Sequence, residues 1–150
     1  MFHVLFNPPC VLHMHMRISI KILSVLFRIG LDNALSGDLD TVLFPVCDKK
    51  KPSQKQRFEK YINNLEKVMN TCVLGDPFFP TTWKPPVDEK ERKFFPLKMD
   101  NQRCKRCITN IKALVELCVL KDDNKQEQFL TVVKYFQETM DFLCKKSTRN

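Results

Sequence analysis

Glycine is almost missing from this chain, with three in 150 residues. That scarcity argues against a turn-rich all-β fold, whose tight hairpins and bulges depend on glycine. Histidine is as rare, and His3, His13 and His15 all lie near the N-terminus. Only one Cys-x2-Cys pair exists, Cys104 and Cys107, far from those histidines. A zinc module wants two such pairs, or Cys pairs followed by paired His, so no metal site is expected. The sequence also lacks a Gly-rich phosphate loop, a His-Glu-x-x-His helix and a Gly-x-Ser-x-Gly elbow. Asp122 and Asp123 are adjacent and read as helix caps, not as a glycosidase pair. Asn-x-Ser/Thr sites are absent as well. The expectation is a protein with no catalytic centre and no cofactor.

What the chain does have is apolar bulk, cysteine and positive charge. Hydrophobic residues make up 43% of it, enough for one core in one domain. Seven cysteines point to an oxidising compartment. The formal charge is +8, spread along the chain with a short run at Lys49, Lys50 and Lys51. Its plain reading is a solvated basic surface; sharper ones are attraction to an acidic polysaccharide or an acidic partner face. Aromatics do not interleave with the basic residues as in nucleic-acid modules, so no nucleic-acid partner is expected.

Residues 1–37 differ from the rest. From Met16, Arg17 and Lys21 precede the apolar stretch Ile22-Leu23-Ser24-Val25-Leu26-Phe27, and Ala34-Leu35-Ser36 supplies small residues. This is the layout of a signal peptide or N-terminal leader, interrupted by Arg28. The segment is too short and too charged for stable membrane insertion. The other reading is an amphipathic first helix that stays in the protein. Cleavage would remove Cys10 and leave six cysteines, an even number. Residues 38–150 then form a single helical domain.

Three helices follow from spacing. Ser53 and Gln56 fit a capping box. After them Phe58, Tyr61, Ile62, Leu65, Val68, Met69 and Cys72 form the i, i+3, i+4, i+7 stripe of a helix packed on one side. Gly75, Asp76 and Pro77 stop it. Pro77, Pro80, Pro85, Pro86 and Pro96 exclude a long helix over residues 73–100. Phe78, Phe79, Trp83, Phe94 and Phe95 are too apolar for a free linker, which predicts a long crossover laid on the bundle, with room for a short strand near Phe94 and Phe95. A second helix, capped by Asp100 or Asn101, carries Cys104, Cys107, Ile108, Ile111, Leu114, Val115 and Cys118. A third, capped by Asp122 or Asp123, carries Phe129, Val132, Val133, Phe136, Met140 and Leu143, with Cys144 at its end. Lys145, Lys146 and Arg149 suit the negative end of its dipole.

The six cysteines Cys47, Cys72, Cys104, Cys107, Cys118 and Cys144 are candidates for disulfides. Cys47 precedes the first of these helices and Cys144 ends the last, so an antiparallel bundle brings them to one rim. A bond there closes a loop of nearly the whole domain, worth roughly 4–5 kcal/mol in the chain-entropy model. Cys72 and Cys118 end their helices and can meet in the same way. Cations around Cys104-Lys105-Arg106-Cys107 could favour a redox thiolate, but no preceding strand is readable, and structural disulfides are expected instead.

Two stretches carry a family resemblance. Cys47-Asp48, then Phe58 through Ile62 and Leu65, closing at Cys72, is similar to the first helix of interleukin-4. Phe129-Leu130, Lys134 and Cys144 resemble its last helix in residue type and spacing. Cys107 through Cys118 is similar to the second helix of the branch. The chain thus resembles the short-chain four-helix cytokines, nearest to the interleukin-4 and interleukin-13 branch. The resemblance covers about half of the mature chain, and the last helix is similar to those of interleukins 2, 15 and 21 as well. It implies a Cys47–Cys144 pair. It departs from the family in lacking a helix between Cys118 and Asp123, which leaves the partners of Cys104 and Cys107 open.

The resulting expectation is an all-α, small disulfide-stapled helical bundle, short-chain cytokine-like, with a long Pro- and aromatic-rich crossover. Its function would be that of a secreted ligand bridging cell-surface cytokine receptor chains. Candidate receptor contacts are Glu59, Lys60, Asn63, Glu66 and Lys67 on one helix, and Thr131, Lys134, Gln137, Glu138 and Asp141 on the last. The alternative is a secreted cationic helical protein that acts on lipid, host-defence or saposin-like; a third reading is an intracellular adaptor that keeps its N-terminal segment. Monomer and disulfide-linked dimer both stay open.

Overall fold

A computed structural model describes residues 8–46, 51–72, 101–121 and 124–148. Every regular element among them is helical. In chain order they are α1 (Pro8–Ser36), α2 (Asp40–Leu43), α3 (Gln54–Cys72), α4 (Asn101–Thr109), α5 (Ile111–Cys118) and α6 (Lys125–Thr148). The all-α expectation therefore holds for the described residues. The crossover over 73–100, Cys47 and the pair Asp122 and Asp123 lie outside them.

The segment that resembles a leader is the longest helix. Leu23, Leu26, Phe27, Leu31, Ala34 and Leu35 recur at helical spacing, and all are buried. They pack in one cluster with Phe58, Tyr61, Leu65 and Met69 of α3, Ile108 of α4 and Leu114, Val115 and Cys118 of α5. α1 is the common neighbour of α3, α4, α5 and α6.

Close approach at one glycine allows this packing. Tyr61 is fully buried and donates its hydroxyl to the Phe27 carbonyl at 2.6 Å. The same oxygen lies 3.5 Å from Cys118 Sγ. Gly30, one turn beyond Phe27, faces both groups. A Cβ there would overlap Tyr61 Oη and come within 2.9 Å of Cys118 Cβ and Sγ. The missing side chain lets three helices meet around a satisfied hydroxyl, which removes the penalty of burying it unpaired.

The end of α1 is locked in place. Gly37, at φ +89°, sits just past Ser36. Gly37 N–H donates to the Ala34 carbonyl and Asp38 N–H to Asn33, the paired bonds of a Schellman cap. Arg57 of α3 then grips Asp40 at both carboxylate oxygens, at 3.0 and 2.8 Å. Gln54 donates to the Leu35 carbonyl at 2.9 Å. The predicted capping box forms in both directions, Gln56 N–H to Ser53 Oγ at 3.2 Å and Ser53 N–H to Gln56 Oε1 at 2.9 Å.

Three expectations change. The single helix over 101–118 breaks at Asn110, where Thr109 Oγ1 donates back to the Lys105 carbonyl and Asn110 Nδ2 to Arg106. Such local bonds compete with the helical ladder. Val132 does not join the stripe of α6: it is 54% exposed, while its neighbour Val133 fills the core. Adjacent positions on a helix diverge by about 100°, so only one of the two can point inward. Among the described residues no disulfide is present: Cys104, Cys107 and Cys118 are buried in the core and Cys144 is exposed.

The packing predicts stabilities. Gly30→Ala should destabilise the protein by roughly 1–3 kcal/mol through overpacking. Leu65→Ala, at a fully buried site, should cost roughly 2–5 kcal/mol. Lys67→Ala, at an exposed site, should change stability by less than about 0.5 kcal/mol. Urea denaturation of the three variants is the measurement; a silent Gly30→Ala would mean that α1 does not pack as described.

Candidate functional site

The last helix brings its candidate residues to a cleft. Val133 and Met140 hold one side of α6 in the core, which turns Lys134, Gln137, Glu138 and Asp141 toward α1 and α4. With His15 of α1 and Lys105 and Thr109 of α4 they line a polar cleft of about 580 Å³. Ile108 and Met140 supply apolar wall, and Cys144 also lines it. Thr131, the fifth candidate on this helix, is exposed and does not line the cleft.

His15 was not among the candidates read from the sequence, because nothing local ties it to residues more than a hundred positions away. Its ring lies on Phe136 with centroids 5.1 Å apart and planes tilted by 35°. Nδ1 is 3.4 Å from the hydroxyl of Ser19, a fully buried serine one turn on. Partial burial holds the His15 pKa below the ordinary histidine value, and the charge of Lys105 pushes the same way while Asp141 opposes both. Neutral imidazole is therefore the form that suits the α1–α6 contact.

The candidates on α3 divide by exposure. Glu59, Asn63 and Lys67 are exposed; Lys60 and Glu66 are half-buried. α3 and α6 share α1 and α5 as neighbours, and the two candidate sets lie on different helices.

The outer surface of α6 also carries three exposed apolar residues. Val132, Tyr135 and Phe142 are 54%, 65% and 64% exposed. Their spacing of three and seven residues puts them on one stripe. Lys146 lies over the Phe142 ring, 5.9 Å from its centroid, a weak cation–π contact at an exposed site. The signal in the sequence was the excess of apolar residues over what one buried stripe can use.

Other reactive groups are quiet. Burial pushes the Cys118 thiol up to about 12, so it stays protonated and unreactive. Burial likewise holds the Tyr61 phenol well above its usual range. Among the described residues no group of three or more His, Cys, Asp or Glu is placed to hold a metal ion.

The neutral preference of His15 gives a pH dependence. A histidine whose folded pKa is lowered binds its proton more readily when unfolded. Stability is then fully present above the ordinary histidine range and falls as pH drops through it. Thermal melts between pH 7.5 and 5.5 should show a steeper loss for the native chain than for His15→Gln, with the other histidines common to both. Parallel slopes would exclude His15 as the source. Comparisons with protein-family models, with curated proteins and with solved structures found no match to this chain.

Proposed function

We propose that this protein is a secreted, receptor-binding helical ligand of the short-chain cytokine type, with α6 as its principal contact helix and no chemistry of its own. The carrying observation is the outward stripe of Val132, Tyr135 and Phe142 beside the charged positions Lys134, Glu138 and Asp141. Exposed aromatics bordered by charge are the composition of binding hot spots and their rims. The separate α3 face, with Glu59, Asn63 and Lys67 exposed, is the candidate contact for a second receptor chain. Two faces on one rigid body are what receptor bridging needs. The likeness of the last helix to that of interleukin-4 supports the same choice.

α1 adds a long helix to α3, the broken α4–α5 rod and α6. This supports a four-rod bundle in which the N-terminal segment takes the place left by the helix missing after Cys118. Its order in the chain differs from the family, since it precedes the Cys47-Asp48 stretch. Secretion is part of the reading. Cleavage near Ser36–Asp38 would strip Leu23, Leu26, Phe27, Leu31, Ala34 and Leu35 from the core, so the product that preserves the packing keeps α1.

Binding tests the reading directly. Soluble ectodomains of paired cytokine receptor chains should capture the native protein. Tyr135→Ala with Phe142→Ala should weaken capture at least about tenfold. Lys134→Glu with Glu138→Lys should abolish signalling, because a face that reads charge sees its pattern inverted. Circular dichroism of both should match the native chain, since all four side chains are exposed. Undiminished capture of both folded double variants would remove α6 as the receptor face.

A second experiment addresses the cysteines and the amino terminus together. Peptide mapping of secreted material without reduction should join Cys47 to Cys144, and amino-terminal sequencing should find residues of α1 retained. A Cys118–Cys144 pair would contradict the rim arrangement, and a start at Gly37 or Asp38 would show that the packed helix is discarded.

A further inference from the structure

We infer that the outward face of α1 is a docking surface for an anionic lipid bilayer. This inference concerns a different helix face from the receptor reading and rests only on α1 being retained.

Met14, Arg17, Ile18, Lys21, Val25 and Arg28 recur at intervals of three, one, three, four and three residues. On a helix that spacing places them in one stripe. The stripe lies opposite Leu23, Leu26, Phe27 and Leu31, which are buried in the core. All six stripe residues are exposed. Met14, Ile18 and Val25 are 43%, 37% and 50% exposed, so apolar side chains face water along about three turns.

Charge selects the occupant. Arg17, Lys21 and Arg28 are cations, and the one carboxylate of α1, Asp32, lies exposed one turn past Arg28 at the end of the stripe, leaving it net positive. A second copy of this helix would bring cation to cation, which opposes pairing. An acidic bilayer satisfies both halves of the face at once. Apolar side chains enter the boundary between headgroups and acyl chains while Lys and Arg reach up to lipid phosphates. Spanning is a different matter: among the described residues no helix is long and apolar enough to cross a membrane. The core side of α1 is already committed to α3, α4, α5 and α6, so the helix lies along the surface with the body of the protein above it. The chain's formal charge of +8 adds long-range attraction to the same surface.

Vesicle co-sedimentation of the full chain tests the inference, using phosphatidylcholine vesicles with and without phosphatidylserine. Binding should appear with phosphatidylserine, be at least about tenfold weaker without it, and fall when salt is raised. Each cation near an anionic surface contributes roughly fivefold in affinity, so the charge-reversed triple variant Arg17→Glu, Lys21→Glu, Arg28→Glu should lose at least about a hundredfold. Ile18→Ser with Val25→Ser should also lose binding while keeping native circular dichroism, because both positions are exposed; Val25→Ser alone is the milder variant should the pair unfold. Tyr135→Ala with Phe142→Ala on α6, which tests the receptor reading, should bind vesicles as the native chain does. Equal binding to both vesicle types, no binding to either, or unchanged binding by the α1 variants would overturn the inference. Loss confined to the α6 variant would place any lipid contact on the other helix.

Discussion

The hydroxyl of Tyr61 must find a partner in a place where water does not reach. It finds the Phe27 carbonyl, and can do so only because Gly30 leaves room one turn further along α1. Cys118 closes the third side. Each component depends on the others. A larger residue at Gly30 pushes α3 away, and a displaced α3 leaves the phenol unpaired. A shifted α5 would take Cys118 out of the junction and carry with it the carbonyl that Asn33 holds at 2.9 Å. The positions of α1, α3 and α5 are thereby coupled, and the surfaces of α6 and α1 inherit their orientation from that coupling.

Around this junction several polar contacts act as fasteners at helix ends. Asn33 covers the end of α5, Gln54 the end of α1, and Gln126 donates to the Val119 carbonyl at 2.6 Å. Helix ends leave carbonyls without intrahelical partners. The amide side chains that satisfy them come from neighbouring helices, so each cap is also a tertiary contact. The Arg57–Asp40 ion pair is two-pronged but partly solvated, and such pairs hold geometry more than they add stability.

Much of α3 was legible from its sequence. The capping box at Ser53 and Gln56 forms with the expected partners, and Phe58, Tyr61, Ile62, Leu65 and Met69 are buried as their spacing requires. α6 was legible except at Val132, where two adjacent valines offered the core and only one was needed. The role of α1 was not. Its central stretch is apolar on both sides, so periodicity gave it no inward face, and the basic-then-apolar order resembles a leader. The break at Asn110 depends on side chains choosing the backbone over solvent, a near-balanced competition that composition does not reveal. The cleft residues His15 and Lys105 escaped because their meeting with α6 is a property of the packed helices. Gly30 escaped for the same reason: its significance lies in what passes beside it.

The fastening at the end of α1 bears on how the chain is handled before it is finished. A cutting enzyme needs several residues drawn out in extended form. Between Asn33 and Phe44 the folded chain offers instead a closed helix end, a left-handed glycine and a short helix clamped by Arg57. The bond after Ser36 is therefore open to attack only while α3 has yet to be made or has yet to dock. Arg57 and Gln54 are synthesised about twenty residues later than that bond. Until those two side chains exist, nothing from α3 holds the end of α1 in its folded shape.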